Sequence, residues 1–451
     1  MVSIFLYMLA SLLLSPASLI AQQNVANPVV AHFMVGNTYP YTRADWRRGA
    51  FRSDANRTLQ SIINTSNPDI TLAASKGIDG FALNIGSDPW QLARVADAYA
   101  AAIGTTFALF PSFDMGNLPC ARERDGDILR TMINTYYDHS NQMYFHGAPL
   151  VSTFGGQQCH FGQPTINEGW RRILKTDLPA VHFIASFFMD PAIYGSIDSA
   201  NGAFSWDSAW PMGDYDIDAS YDNEYRRYLN GRTYMAGVSP WFFTHYGPDS
   251  YNKNFIFRAD NWLLAERWEI LIRDRELLDI VQIITWNDFG ESHYMGPIDG
   301  AQPKSESWTT GFDHQGWLDL QHYYITAYKT GSYPEIERDR IFLWGRLYPA
   351  AASSPDPLDR PQNFNYTEDF VWGVVLLTEE ARLDLSCGDN WLSVDLPRGH
   401  SKVNLPLTGD CSVTSSLTRG GSRVLRFAPQ GYSFSTSPPM YNFNAIVAAS
   451  P

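Results

Sequence analysis

The run Ile280-Val281-Gln282-Ile283-Ile284-Thr285-Trp286-Asn287-Asp288-Phe289-Gly290-Glu291-Ser292 decides how the chain is read. It opens as an apolar, β-branched stretch, the signature of a strand buried on both faces. Within three residues it changes to Trp, Asn, Asp and Glu. A buried strand that ends in two carboxyl groups beside an indole and an amide carries its chemistry at its C-terminal tip.

Seven more strand-like runs precede it, at residues 29–35, 80–85, 106–113, 150–154, 181–188, 202–206 and 234–239. Helix-period segments separate them, at 70–76, 89–103, 127–145, 167–176, 223–229 and 259–274, and 318–330 reads as a closing helix. Eight alternations imply a parallel sheet with enough strands to close a (β/α)₈ barrel of the TIM type, an α/β fold. The competing open sheet is disfavoured because no Gly-x-Gly-x-x-Gly follows the first strand.

A barrel builds its site from strand tips and the loops after them. Those tips carry His32, Asn37, Asn84, Asp114, Gln157, Gln158, Asp190, Trp206, Asp207, Trp241, His245 and the Trp286–Glu291 group. Polar and indole side chains converge from nearly every strand, as a cleft gripping a hydroxyl-rich ligand requires. We take His32, Asn84, Asp190, Trp206, Trp241, Trp286 and Asn287 as candidate substrate-binding residues. Each has a plainer alternative: Asp190 before Pro191 looks like a helix N-cap, His32 like a satisfied core histidine, and each Trp like half core.

Past residue 333 the character changes. Residues 349–361, rich in Pro, Ser and Ala, read as a linker or surface strap. Short alternating runs follow at 370–378, 382–386, 391–396, 402–407, 422–428 and 432–435, the pattern of a small antiparallel β-sandwich. The expected division is a signal peptide at 1–21, a barrel at 22–345 and a sandwich at 346–451. The leader is expected from the apolar run between Ile4 and Leu14, too short to span a bilayer, with small residues up to Ala21.

Composition narrows the function. With 451 residues, 45% hydrophobic and 18% charged, the chain is globular and long enough for two domains. A net charge of −14 argues against nucleic acid as a partner. The 14 Trp, 24 Tyr and 26 Phe suit a sugar cleft, although most such rings serve as core. Cys120, Cys159, Cys387 and Cys411 fit two disulfides in an oxidising compartment. Four cysteines allow three pairings, and the wide central gap favours Cys120–Cys159 with Cys387–Cys411. Sequons at Asn56, Asn64 and Asn365 agree with a secreted glycoprotein. No metal-ligand spacing, serine-hydrolase elbow or phosphate loop occurs. The expectation is an enzyme without cofactor or metal, monomeric, off the membrane, with a polysaccharide as partner.

Glycosidic bonds are cleaved by two carboxyl groups, one protonating the leaving oxygen and the other attacking carbon or activating water. Their separation sets the outcome, about 5–5.5 Å for retention and about 6.5–9.5 Å for inversion. Asp288 and Glu291, three apart, would face opposite sides of a straight strand. Gly290 is expected to bend the chain so that both turn into one bowl, with Phe289 and Trp286 as apolar walls raising the pKa of Glu291. Asp114, ending an apolar strand, is a third candidate carboxylate; a buried Asp bonded to loop amides is the equal alternative.

The runs Ala31-His32-Phe33-Met34-Val35-Gly36-Asn37, Gly77-Ile78-Asp79-Gly80-Phe81-Ala82-Leu83-Asn84, Phe110-Pro111-Ser112-Phe113-Asp114 and Trp286-Asn287-Asp288-Phe289-Gly290-Glu291-Ser292 resemble glycoside hydrolase family 71, the fungal endo-α-1,3-glucanases or mutanases. The likeness keeps its order from about residue 29 to 345. It implies an inverting barrel enzyme that hydrolyses internal α-1,3-glucosidic bonds of cell-wall glucan. By motif, Asp288 and Glu291 correspond to the catalytic carboxylates and Asp114 to a third essential aspartate. We assign Glu291 as acid and Asp288 as base. The rivals are an endo-glycosidase of another linkage, such as β-glucan or α-mannan, and a non-catalytic α-glucan-binding protein.

Overall fold

The computed structural model describes residues 26–38, 68–298, 302 and 304–451. The expected leader and the sequons at Asn56 and Asn64 lie outside them. Eight strands run parallel: β1 (Val29–Met34), β2 (Gly80–Ile85), β3 (Ala108–Asp114), β4 (Ala148–Phe154), β5 (His182–Ala185), β6 (Gly202–Ser205), β7 (Thr233–Val238) and β8 (Ile280–Ile283). Each pairs with the next, β3 with β4 included, and β8 returns to β1, so the sheet closes into the expected (β/α)₈ barrel. Strand residues are buried on both faces because helices cover the outside and side chains fill the inside.

The helices follow the expected periods: α1 (Pro68–Ser75), α2 (Pro89–Ala102), α3 (Asp127–Tyr136), α4 (Ile166–Leu174), α5 (Ser220–Leu229), α6 (Leu263–Arg273) and α7 (Gln315–Thr330). Two are shorter than expected, α6 starting at Leu263 where the expected segment began at 259. The segment read as helix over 127–145 leaves the helix after Tyr136, and Tyr144–Phe145 pairs antiparallel with the start of β4. The cause is Asn141, whose side-chain amide donates to the Thr105 and Phe107 carbonyls just before β3.

Two antiparallel sheets follow the barrel. One has the order Gly399–Pro406, Phe370–Leu377, Arg340–Arg346, Ala445–Ala449; the other has Asn390–Leu396, Ala381–Cys387, Cys411–Arg419, Ser422–Phe427. Cys411–Arg419 was not among the expected strands, because its alternating Ser and Thr hide the apolar side. Arg340–Arg346 alternates as a strand must. Ile341 and Leu343 enter the core between the two sheets, whereas Phe342 and Trp344 join the barrel core. Both expected disulfides form, Cys120–Cys159 in the barrel and Cys387–Cys411 across the second sheet. No helix among the described residues is long and apolar enough to cross a membrane.

Four indoles cross from barrel to sheet. Trp241, Trp262, Trp344 and Trp372 donate to Phe443 O, Gly373 O, Asn261 O and Asp260 Oδ1 at 2.9–3.0 Å. Asp260 also receives the buried Arg346 guanidinium. A tryptophan suits this boundary because its ring is apolar and its N–H still finds an acceptor.

Candidate active site

Beyond β8 the chain folds back on itself. Thr285 N donates to His293 O at 2.7 Å, Met295 N to Thr285 O at 3.0 Å, and Trp286 N to His32 O on β1 at 2.8 Å. These bonds close a small loop over the barrel mouth. Phe289–Glu291 is a single 3-10 turn with Asp288 as its N-cap position. Asp288, whose own backbone lies outside the 3-10 region, leads into the turn, and the two carboxyl groups come within 4.8 Å of each other. Gly290 also makes room for a neighbour. A Cβ there would lie 2.1 Å from Tyr246 Oη, so glycine is required for the close approach of Tyr246.

Asp288, Glu291 and His293 offer polar atoms within 4.8 Å of one another, the single group of three among the described residues close enough to hold an ion. A cation already faces them. Lys253 Nζ donates to Glu291 Oε1 at 3.1 Å, and its ammonium also feels Asp288 and Asp114. His293 Nε2 lies 3.0 Å from Glu291 Oε2, while Nδ1 meets Thr285 Oγ1. Trp206, Trp210 and Phe242 box in the His293 ring, with centroids 5.6–6.3 Å away.

The two carboxyl groups are driven apart. Burial and the neighbouring Glu291 push Asp288 up to about 6. Burial also opposes the charge on Glu291, yet His293 and Lys253 overcome it and hold the group at about 2. The expectation that Phe289 and Trp286 raise Glu291 is therefore overturned. Phe289 packs on Tyr294, and Trp286 turns into the core, where its indole bonds Asp69.

Asp114 ends β3 with its carboxylate accepting from Gly116 N and the Asn117 amide, and burial raises its pKa. The Lys253 ammonium favours its charged form. His32 lies at the barrel centre, edge-on to Trp206 at 5.0 Å. Burial pushes it down to about 3, so it is neutral; Nδ1 meets the Gln282 amide and Nε2 has no hydrogen-bond partner. Asn84 is buried near the end of β2, in register with Met34 and Ser112.

Other expected site residues have structural tasks. Asn287 clasps the Met34 backbone, accepting from its N–H and donating to its carbonyl. Asp190 caps the Pro191–Ser196 turn from an exposed position. Trp241 is sealed between the barrel and Phe443, and Trp286 is 2% exposed. Trp206 alone of the expected indoles adjoins His293 and His32. Lys253, His293 and Tyr246 escaped sequence reading. His293 had a signal, standing two residues past Glu291, but Lys253 and Tyr246 lie in a loop with no motif.

A family model described as glycosyl hydrolase family 71 matches residues 25–451. Glucan endo-1,3-alpha-glucosidase agn1 of Schizosaccharomyces pombe is 36% identical over 442 residues, covering 95% of this chain and 96% of its own. A mutanase of Penicillium rubens is 31% identical over 444 residues, covering 95% and 90%. The ascus wall endo-1,3-alpha-glucanase of S. pombe is 28% identical over 446 residues, covering 92% and 95%.

Proposed function

The chain belongs to glycosyl hydrolase family 71 and is a glycoside hydrolase, and from that premise we propose that it cleaves internal bonds of α-1,3-glucan with Asp288 and Glu291 as the reacting pair. The observation that carries this reading is geometric: Asp288 and Glu291 come within 4.8 Å, and Lys253 and His293 both bond Glu291, favouring its ionised form, while burial and the neighbouring Glu291 raise Asp288. Paired titratable groups driven apart by their surroundings mark an acid and its partner. Asp288 then protonates the glycosidic oxygen, and Glu291 remains ionised, the reverse of the assignment made from sequence. Asp114 and Lys253 complete the rim, and Trp206 with the unpartnered His32 Nε2 forms the floor against which a sugar is seated.

In the first form of the proposal the product is inverted, as the family resemblance implies, and Glu291 activates water in place of the Asp288 expected from sequence. A second form is retention with Glu291 as nucleophile, motivated by the close approach of the pair, whose nearest polar atoms lie within 4.8 Å. NMR of the first anomer released distinguishes the two.

In this proposal the barrel carries the reaction, the two sheets that begin with the Arg340–Arg346 strand form the appendage, a boundary slightly before the 345/346 expected from sequence, and the enzyme is secreted to act at the wall. The named substrates of the relatives, the disulfides and the exposed Asn365 sequon support it. The test compares wild type, Asp288→Asn and Glu291→Gln on insoluble α-1,3-glucan and on a glycosyl fluoride of an α-1,3-linked oligosaccharide. Both variants are expected to lose the polymer, and Asp288→Asn to keep the fluoride, whose leaving group needs no proton. Fluoride turnover by Glu291→Gln instead would reverse the roles, and full activity of either variant on glucan would end the reading. Sizing products from a panel of α- and β-glucans and α-mannan checks the linkage.

A further inference from the structure

Lys253 reaches the pair from a hairpin that is not part of the barrel sheet. Phe243–His245 and Asn254–Ile256 form a separate two-stranded sheet, extended by Tyr246 N donating to Lys253 O at 2.7 Å. Two strands alone are marginal in water. The Lys253 side chain is itself half exposed. Something else must hold the hairpin for its ammonium to keep one place.

Phe243 and Ile256 root the hairpin in the core, and the Pro-rich segment after the barrel ties down the arm that carries Lys253. His245 Nε2 lies 3.1 Å from Asp356 Oδ2, and both side chains are almost wholly buried. Asn254 Nδ2 donates to Asp359 O at 2.7 Å. Ile256 N donates to Gln362 O, and Gln362 N to Asn254 O, so the segment adds a strand-like edge to the hairpin. Leu358 packs on Gly247. The segment is pinned in turn to the C-terminal region, where Tyr441 N donates to the same Asp356 Oδ2 at 2.8 Å.

We propose that residues 349–362 are a positioning strap: by clamping the Phe243–Ile256 hairpin they seat the Lys253 ammonium against Glu291, and Lys253 is a positioning residue for the reacting pair. The inference rests on the reading of Asp288 and Glu291 as that pair. The charged and titratable groups around it are Asp114 from β3, His32 from β1, Asp288, Glu291 and His293 from the loop after β8, and Tyr246 from the hairpin. Lys304 faces the Tyr251 ring at 5.7 Å. His245 and Asp356 form the clamp itself. Loss of the cation leaves Glu291 with His293 as its remaining partner. Both limbs of the pH–rate profile then move upward, because Lys253 favours ionisation of Glu291 and of Asp288 alike.

The test uses the full chain on α-1,3-glucan. Lys253→Met is expected to shift the acidic limb up by about 1–3 pH units, the effect of removing an adjacent opposite charge, with kcat falling and KM little changed. Asp356→Asn is expected to lower kcat about tenfold through a slightly displaced hairpin. In the Lys253→Met background the same substitution should change kcat by less than about twofold, since coupled sites are not additive. An unshifted profile in Lys253→Met overturns the inference, as does an Asp356→Asn effect equal in both backgrounds. Should Asp356→Asn melt below the assay temperature, Asn254→Ala, which removes the tie to Asp359, takes its place with the same two outcomes. If Glu291→Gln retains activity, the reading of the pair has failed; if it is inactive while Lys253→Met is unshifted, only the strap has failed.

Discussion

Trp286 Nε1 donates to Asp69 Oδ1 at 3.1 Å, joining the loop after β8 to the first turn of α1. The indole that opens the Trp286–Glu291 run is thus a structural pin, while Trp206 lies beside His32 and His293. Substituting each by Phe separates the tasks. Trp286→Phe removes a donor from a buried carboxyl group and should lower stability by about 1–3 kcal/mol with kcat/KM near wild type. Trp206→Phe should lower kcat/KM about tenfold, roughly 1.4 kcal/mol of transition-state stabilisation, at little cost in urea midpoint. An exchange of these phenotypes would contradict the site as drawn.

Asp288→Asn should make the protein more stable while removing its activity. The carboxyl is raised from 3.8 to about 6 in the folded chain. Its protonated form therefore favours folding, and that contribution is complete below about pH 4 and lost as pH rises through 6. Above pH 6 the folded state holds a charge it disfavours, and the neutral amide relieves this by on the order of 1–3 kcal/mol. Urea denaturation at pH 7.5 and pH 4 reads the difference, which should be present at the first pH and absent at the second.

His293→Gln should move the acidic limb of the pH–rate profile upward. The imidazole is the largest named influence lowering Glu291, so without it Glu291 gains its proton at a higher pH and the ionised partner is lost earlier on acidification. A profile identical to wild type would show that His293 serves packing among Trp206, Trp210 and Phe242 alone.

The buried pair of Arg267 and Asp222 predicts a stability effect remote from the chemistry. Arg267 is fully buried and also donates to Gly237 O at 2.9 Å and Ser208 Oγ at 3.1 Å. Arg267→Met should cost about 3–5 kcal/mol, because it leaves the Asp222 carboxylate buried without its cation. Arg267→Met combined with Asp222→Leu should recover much of that loss by calorimetry.

The barrel was legible because each strand is an unbroken apolar run between amphipathic segments, and the period change survives any detail of packing. The location of Asp288, Glu291 and Asp114 followed from it, since a barrel has one face where strand tips meet. That Gly290 also makes room for Tyr246 was not legible, because no local pattern marks the contact. The fate of the indoles was not legible. Trp206, Trp241 and Trp286 all follow strands, yet one borders the site, one faces Phe443 and one bonds Asp69.

The sequence by itself determined the order of elements, the closed sheet and the tip that carries the two carboxyl groups, because those depend on local periodicity. Tertiary structure alone decided what surrounds each carboxyl group. Those surroundings depend on where a half-exposed lysine from a separate hairpin and a buried histidine meet Glu291. Such distances arise from contacts between Lys253 and Glu291, and between His245 and Asp356, 38 and 111 residues apart in the chain.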